Sequence, residues 1–207
     1  MTSRIDRITQ QRLEKLARIR ARGIEPYPHR YRRSHTTQEA VEMLQKSEAG
    51  TPPQATPDTK LAGPKPGAPS ATVAGRVTAR RNMGKIVFMD LRDSSGKIQL
   101  LFGDLISAEQ SELLKDIDIG DIIGATGRLF RTKTNEPTIA VSDFTLLAKA
   151  LQPLPEKWHG LSDVELRYRQ RYLDLISNPE ARETFKVRSQ VIAAIRQFLN
   201  ERGFLEV

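Results

Sequence analysis

The chain has no cysteine in its 207 residues, so it can form neither a disulfide framework nor a metal site built on thiolates. Its three histidines, His29, His35 and His159, are far apart in the sequence, which disfavours a structural zinc site. No apolar run approaches the roughly 20 residues that cross a bilayer, and the N-terminal residues are charged throughout, unlike a signal peptide. These absences predict a soluble, cytoplasmic protein without a bound metal.

Positive charge is concentrated at the N terminus. The net charge is +8, and residues 1–33 alone carry ten lysines and arginines against three acidic residues. Such a segment raises the affinity for polyanions such as RNA in a way that depends on salt rather than on base sequence. The competing interpretation is a solvated helix face, which is the commoner meaning of a charge run.

Two segments precede the region with strand periodicity. Residues 1–47 predict a basic helical extension, with one helix over Ser3–Arg22, ended by Gly23, and a second over Thr37–Ser47. Residues 48–71 contain six prolines and three glycines. They hold too few large apolar side chains to offset the entropy of ordering the chain, so we expect a flexible insert.

Residues 72–150 alternate apolar and polar side chains, with Gly, Asn, Asp and Ser at the breaks. Five short strands, with a helix between the third and the fourth, predict a mainly β fold with flanking helices: a small closed Greek-key barrel of the OB-fold type. The predicted strands are Val73–Arg80, Lys85–Arg92, Lys97–Phe102, Ile122–Arg131 and Thr138–Leu146, and the helix is Ser107–Ile117.

Alternation divides each predicted strand into an inward and an outward set of side chains. It places Phe88 outward, between aliphatic neighbours that face inward, and it places Arg76, Arg80 and Gln99 on the same outer face. OB-type barrels bind single-stranded nucleic acid on this face, with bases stacked on aromatic rings and basic groups on phosphates. The alternative is a generic β-barrel with one exposed phenylalanine.

Two more segments follow the barrel. Residues 151–179 predict a connector that contains prolines, Trp158 and a helix over Ser162–Ser177. Residues 180–207 predict an amphipathic helix, Glu180–Arg202, and then the beginning of a strand. An apolar helix face with nothing to pack on indicates the first helices of a truncated α+β domain, and so a chain that belongs to a longer protein.

Three motifs of these segments resemble one enzyme family. Residues 153–161 read PLPEKWHGL, residues 167–175 read RYRQRYLDL and residues 202–207 read RGFLEV. With the basic N-terminal helix and the barrel, they resemble class II lysyl-tRNA synthetases of the bacterial type. The RYRQRYLDL block is typical of the subclass that also contains the aspartyl and asparaginyl enzymes. The resemblance implies a barrel that binds the anticodon of tRNA(Lys), and a motif 1 helix that forms the homodimer interface of the full-length enzyme.

The resemblance also implies roles for five residues of the barrel. Phe88, in KIVFMDLRD, matches the aromatic residue that stacks on an anticodon base, and Gln99 matches the glutamine that hydrogen-bonds the central uridine. Glu136, in TNEPTIAV, matches the acidic residue that reads the neighbouring anticodon bases. Arg76 and Arg80 match basic positions of the first strand, which makes all five predicted RNA-binding residues.

The catalytic motifs of the family are missing from this sequence. Motifs 2 and 3, whose arginines hold ATP with Mg²⁺ on its phosphates, would follow the last residue, so ATP, Mg²⁺ and lysine are implied only as ligands of the full-length enzyme. That enzyme activates lysine with ATP and transfers it to tRNA(Lys). The 207-residue chain is predicted to be inactive alone and to hold no catalytic, cofactor-binding or metal-binding residue. Two alternatives stay open: the same region of an aspartyl or asparaginyl enzyme, and a non-enzymatic OB-fold RNA-binding protein.

Overall fold

The computed structural model describes residues 4–49, 64, 67–155, 161 and 163–207. The chain divides into two compact units, Met1–Pro153 and Leu154–Val207. Trp158, most of the predicted insert at 48–71, and Ser3 and Ser162, the first residues of two predicted helices, lie outside the described residues.

The first unit contains three helices and five strands in its described part. Strands β3 and β4 have the predicted bounds, whereas β1 extends beyond its predicted ends because it pairs with β4 in its first half and with β2 in its second. The elements are α1 Arg4–Ala21, α2 Thr37–Ala49, β1 Ser70–Met83, β2 Ile86–Arg92, β3 Lys97–Phe102, α3 Ala108–Lys115, β4 Ile122–Arg131 and β5 Pro137–Ala148.

The strands close into a barrel in the order β1-β2-β3-β5-β4, which confirms the predicted five-stranded architecture. Closure pairs each of the five strands with a neighbour on both sides, β1 with β4 in its first half and with β2 in its second. The inward side chains fill the interior: Met89 and Leu100 are fully buried, and the rings of Phe102 and Phe144 meet edge to face with their centroids 5.3 Å apart. Such aromatic pairs add to the stability that burial of apolar area already gives.

A β-bulge in β1 changes the face assignment of its second half. Val77 pairs with Leu91 and Ala79 with Asp90, so Thr78 is an extra residue without a partner of its own. One inserted residue reverses the alternation beyond it. The predicted outward position of Arg80 is therefore wrong: Arg80 lies opposite the buried Met89, on the inward side.

Helix α1 docks on the barrel largely through charged contacts. Arg12 is only 7% exposed and donates to three backbone carbonyl oxygens at 2.7–3.0 Å. Lys15 binds a carboxylate oxygen of Asp118 at 2.5 Å. The other oxygen of Asp118 binds Lys149, whose fully buried side chain also reaches Asp121 at 2.7 Å. The basic N-terminal helix is thus part of the barrel unit.

The segment between α1 and α2 is seated on β4 at Gly124. Gly23, with φ of 73°, ends α1 as the sequence predicts. A Cβ atom on Gly124 would lie 2.1 Å from Cζ of Tyr31, so the tyrosine ring fits only against a glycine. Burial raises the pKa of Tyr31, in keeping with a ring packed against the strand.

The second unit is helical in its described part, with α4 Val164–Arg169, α5 Arg171–Ser177 and α6 Pro179–Asn200. The single helix predicted over Ser162–Ser177 is instead broken at Gln170, whose φ of −118° and ψ of 58° are not helical. The break lets Arg167 and Arg171, from the two short helices, both bind the fully buried Asp174.

Helix α6 leaves its apolar face open within the second unit. Val191, Ile195 and Phe198 are each 52–55% exposed. Residues 204–207, predicted to begin a strand, form none, because they have no strand partner among the residues described for this unit. No helix among the described residues is long and apolar enough to cross a membrane.

Candidate nucleic-acid interface

A cleft of about 690 Å³ opens on the outer face of the barrel. Strands β1, β2 and β3 form its floor, and the β4–β5 loop, residues 132–136, forms one wall. Three of the five predicted RNA-binding residues line it together: Phe88, Gln99 and Glu136. They come from two strands and a loop, so closure of the barrel is what brings them into one site.

Phe88 stands on the outer face of β2, as predicted. Its cross-strand neighbours are Leu101 on β3 and Arg81 on β1, and its own side chain is partly exposed. A partly exposed aromatic ring with a guanidinium beside it is suited to an unpaired base. Stacking on such a ring contributes about 1–3 kcal/mol per base.

Gln99 lies opposite Asp90, on the predicted outer face of β3, although neighbouring side chains leave it only 9% exposed. Its Oε1 accepts a hydrogen bond from Oγ1 of Thr138 at 3.1 Å. Oγ1 of Thr138 also lies 3.0 Å from the carbonyl oxygen of Glu136, which competes for its single proton. Nε2 of Gln99 makes no hydrogen bond to any of the described residues, so one strong donor is left for a ligand in the cleft.

Glu136 ends the β4–β5 loop and points its carboxylate toward β3. Oε1 of Glu136 lies 3.1 Å from Nζ of Lys97, and both side chains are about 40% exposed, at 39% and 42%. The backbone of the loop is tied by a bond from the Thr132 amide to the Glu136 carbonyl at 3.1 Å. The carboxylate is thus an acceptor held at the rim of the cleft.

Cations surround these three residues. Arg81 lines the cleft and donates to Oδ1 of Asp90 at 2.9 Å, with 52% of its side chain exposed. Lys97 and Lys133 also line the cleft, and Lys133 has no ion-pair partner among the described residues. An apolar floor with exposed cations at its edge matches the chemistry of a base flanked by phosphates.

Arg76 and Arg80, the other two predicted residues, do not line this cleft. Arg76 donates to the carbonyl oxygen of Gly120 at 2.8 Å. Arg80 donates to the carbonyl oxygens of Leu114 and Ile117 at the C-terminal end of α3, where a cation is favoured by the helix dipole. Burial lowers the pKa of Arg80.

Alternation along β1 does not predict the outward position of Arg81, which lines the cleft. With a regular strand it would face inward, and Arg80 would face outward. The bulge at Thr78 exchanges them, so that Arg81 lies beside Phe88. The sequence carries no clear signal for this exchange, because the bulged residue is a threonine, an ordinary residue for a strand.

The described residues contain no group of three or more His, Asp or Glu side chains that could hold a metal ion.

Comparison with known proteins identifies both units. Residues 71–147 match the model of the OB-fold nucleic acid binding domain. Residues 163–207 match the model of class II tRNA synthetases of the D, K and N group. The chain thus combines an OB-fold nucleic-acid-binding barrel with a segment of the class II aminoacyl-tRNA synthetases.

Full-length relatives narrow the class to one family. The chain is 53% identical to the lysine–tRNA ligase of Dehalococcoides mccartyi (strain 195), over 97% of this chain and 38% of that protein. It is 44% identical to the lysine–tRNA ligase of Carboxydothermus hydrogenoformans, over 98% of this chain and 38% of that protein. It belongs to the class II lysyl-tRNA synthetase family, as its motifs predict, and spans about 38% of the length of these relatives.

Proposed function

We propose that the cleft reads the anticodon of tRNA(Lys), and that this chain is the tRNA-recognition segment of a lysine–tRNA ligase. The observation that carries the proposal is the convergence of Phe88, Gln99 and Glu136 in one cleft with exposed cations at its edge. Anticodon bases are unstacked and can be splayed out, so that stacking and hydrogen bonds to their edges can read them.

We assign a separate role in base recognition to each of these three residues. The ring of Phe88 stacks on a base whatever its identity. Gln99 supplies identity: its Oε1 faces Oγ1 of Thr138, and its free Nε2 donates to O4 of the central uracil. Cytosine carries an amino group where uracil carries O4, and an amino group cannot accept this bond. The carboxylate of Glu136 accepts from an N–H of a neighbouring base. Asp90, the other acidic side chain that lines the cleft, pairs with Arg81, a cation that can turn to a phosphate.

The reaction belongs to the full-length enzyme. That enzyme would activate lysine with ATP and Mg²⁺ and transfer it to tRNA(Lys) in the cytoplasm, as a homodimer. Support comes from the relatives, each a lysine–tRNA ligase, and from the class II synthetase match at 163–207. The open apolar face of α6 supports the dimer interface, since such faces mark protein contacts. We infer that the 207-residue chain alone is inactive.

A related specificity is the second candidate. The matching synthetase model covers the aspartyl and asparaginyl enzymes as well, and all three read a central uridine, so Phe88 and Gln99 do not separate them. The similarity to two lysine–tRNA ligases favours lysine. Binding of tRNA(Lys) compared with tRNA(Asp) and tRNA(Asn) decides between the candidates, and equal binding of all three would favour a general RNA-binding protein.

Substitution of Phe88 by alanine tests the cleft directly. Phe88→Ala should weaken binding of an anticodon stem-loop by about 1–3 kcal/mol, with little change in melting temperature, because Phe88 lies outside the barrel interior. A buried phenylalanine would instead cost about 3–5 kcal/mol of fold stability. Phe204→Ala, which removes a phenylalanine that is 62% exposed in the second unit, serves as the matched control.

Gln99→Ala should act on base identity. We expect a smaller loss of affinity, together with a weaker preference for U over C at the central anticodon position, because the substitution removes a hydrogen bond to the base edge and keeps the stacking platform. Fluorescence titrations with stem-loops carrying UUU and UCU anticodons measure both quantities. A folded Phe88→Ala chain that binds both stem-loops as well as the unsubstituted chain does would contradict the proposed function.

A further inference from the structure

We propose that Lys97 and Arg131 are positioning residues that hold Glu136 in its reading orientation and so set the specificity of the cleft. Both cations lie outside the loop at residues 132–136, and both bind it. The inference rests on the proposed function, because it assigns the origin of selectivity within the same cleft.

Lys97 holds the side chain of Glu136. It lies two residues before Gln99 on the same face of β3, and its Nζ is 3.1 Å from Oε1 of Glu136. Thr138 ties the same strands together: its hydroxyl lies within hydrogen-bond distance of both the Gln99 amide oxygen and the Glu136 carbonyl oxygen. The glutamate carboxylate is thus tied to β3 by Lys97, and the glutamine amide contacts β5 through Thr138.

Arg131 holds the backbone just before Glu136. Its Nη1 donates to the carbonyl oxygen of Asn135 at 3.0 Å, and its Nε lies 3.0 and 2.9 Å from the two carboxylate oxygens of Glu48 on α2. Asn135, with φ of 63°, is the one non-glycine residue in the left-handed region among those described. A residue in that region is held there by its surroundings, and Arg131 is the contact that links it to a helix.

These contacts bear on specificity more than on affinity. A carboxylate repels the phosphates of RNA, so Glu136 favours binding only when it meets an N–H group of a base. A mobile carboxylate would forfeit that selective interaction and keep the repulsion. Arg131 does not line the cleft, so any effect of its removal on base preference must pass through the loop.

The test compares two lysines of the same cleft in the full 207-residue chain. Lys97→Met removes the partner of Glu136, whereas Lys133→Met removes a lysine that has no ion-pair partner among the described residues. Affinities for stem-loops with UUU, UUC and CUU anticodons are measured at several salt concentrations, with and without Glu136→Gln.

Lys97→Met should reduce the discrimination between UUU and the flanking-base variants by about 1.4- to 5-fold, the range of one partly exposed ion pair. In a chain that already carries Glu136→Gln, Lys97→Met should not change this discrimination further. Lys97→Arg should retain the discrimination. Lys133→Met should weaken all stem-loops equally, with or without Glu136→Gln. Arg131→Met should resemble Lys97→Met, and thermal melting checks that it folds.

Two results would overturn the inference. One is equal behaviour of Lys97→Met and Lys133→Met, which would make both simple phosphate contacts. The other is flanking-base discrimination that Lys97→Met leaves unchanged. Both are distinct from failure of the proposed function, in which the unsubstituted chain would not distinguish UUU from UCU at all.

Discussion

Two surfaces of the barrel unit carry the same types of charged residue but differ in how far those residues are bound within the protein. Where α1 meets the barrel, Lys149 is fully buried and is bound by Asp118, Asp121 and the carbonyl oxygen of Asp116. In the cleft, Arg81 and Lys97 keep about half of their side chains exposed, at 52% and 42%, and each binds one carboxylate. The first surface is closed by its own ionic network, and the second is left open to a ligand.

Burial accounts for the difference. A buried charge must have its hydrogen-bonding capacity met within the protein, because an unmet charge is costly. Burial alone would raise the pKa of Asp118, but hydrogen bonds from Lys149 and Lys15 outweigh it and lower the pKa. Exposed cations exchange protein partners for water or phosphate at little cost, which suits a surface that must bind and release RNA.

This comparison also corrects the interpretation of the N-terminal charge. Of the ten basic residues within 1–33, Arg12, Lys15, Arg18 and Arg22 bind the barrel. They stabilise the fold, and Arg12, Lys15 and Arg22 are at most 35% exposed. Arg18 keeps 52% of its side chain exposed, so the charge that could attract tRNA lies on Arg18 and on the other basic residues of this segment.

The largest expected effect is that of removing Lys149. Lys149→Met should lower the free energy of unfolding by about 3–5 kcal/mol, because it leaves the fully buried carboxylate of Asp121 without its cation. Urea unfolding measures the change. Lys133→Met, in the cleft, should stay within about 0.5 kcal/mol of the unsubstituted chain. Equal effects of the two substitutions would erase the distinction between the closed and the open surface.

A smaller effect concerns Asp93, a carboxylate bound mainly by neutral donors and, at 3.5 Å, by Nη1 of Arg33. Asp93, in the β2–β3 turn, accepts hydrogen bonds from Ser95, Thr37 and the Gly96 amide. Burial alone would raise its pKa, but these bonds outweigh burial and hold the pKa of Asp93 far below its ordinary range. Because the pKa in the folded state is the lower one, the stabilisation is present above about pH 4 and is lost as the pH falls toward the folded-state pKa.

Asp93→Asn should therefore cost about 2 kcal/mol at pH 7, and the difference from the unsubstituted chain should shrink between about pH 4 and pH 2. Unfolding in urea at a series of pH values follows this difference. A constant difference across that range would show that the ionised form of Asp93 is not what the turn stabilises. The contact of α2 with Asp93 would then not depend on the charge of Asp93.

The smallest expected effect concerns the remaining arginines of the N-terminal segment. Arg7, Arg20 and Arg30 are exposed, and replacing all three by glutamine should weaken the binding of every tRNA alike. Removal of one arginine–phosphate pair should reduce the slope of log affinity against log salt by roughly 0.9. Filter binding at several salt concentrations gives the slope.

The matched control removes three docked cations instead. Arg12, Lys15 and Arg22, replaced together by glutamine, should lower the melting temperature and leave the salt slope nearly unchanged, because the barrel already binds these groups. A larger change of slope for this docked set than for the exposed set would mean that α1 leaves the barrel to bind RNA.

Local pattern is enough to predict most of the fold. The bounds of β3 and β4, the helix between them and the end of α1 at Gly23 follow from alternation, capping and glycine geometry, all of which act over a few residues. The outward positions of Phe88 and Gln99 follow in the same way, because β2 and β3 pair without irregularity. The family emerges from contiguous motifs.

Features that depend on distant residues required the tertiary structure. The bulge that exchanges Arg80 and Arg81 arises where β1 passes from one partner strand to the other, and no local pattern in β1 marks it. The break at Gln170 is spanned by an ion pair between Arg167 of α4 and the buried Asp174 of α5, a contact between separate helices that the sequence pattern does not show. A sequence determines which side chains a strand or helix presents, whereas register, burial and long-range ion pairs decide which of them remain open to a ligand.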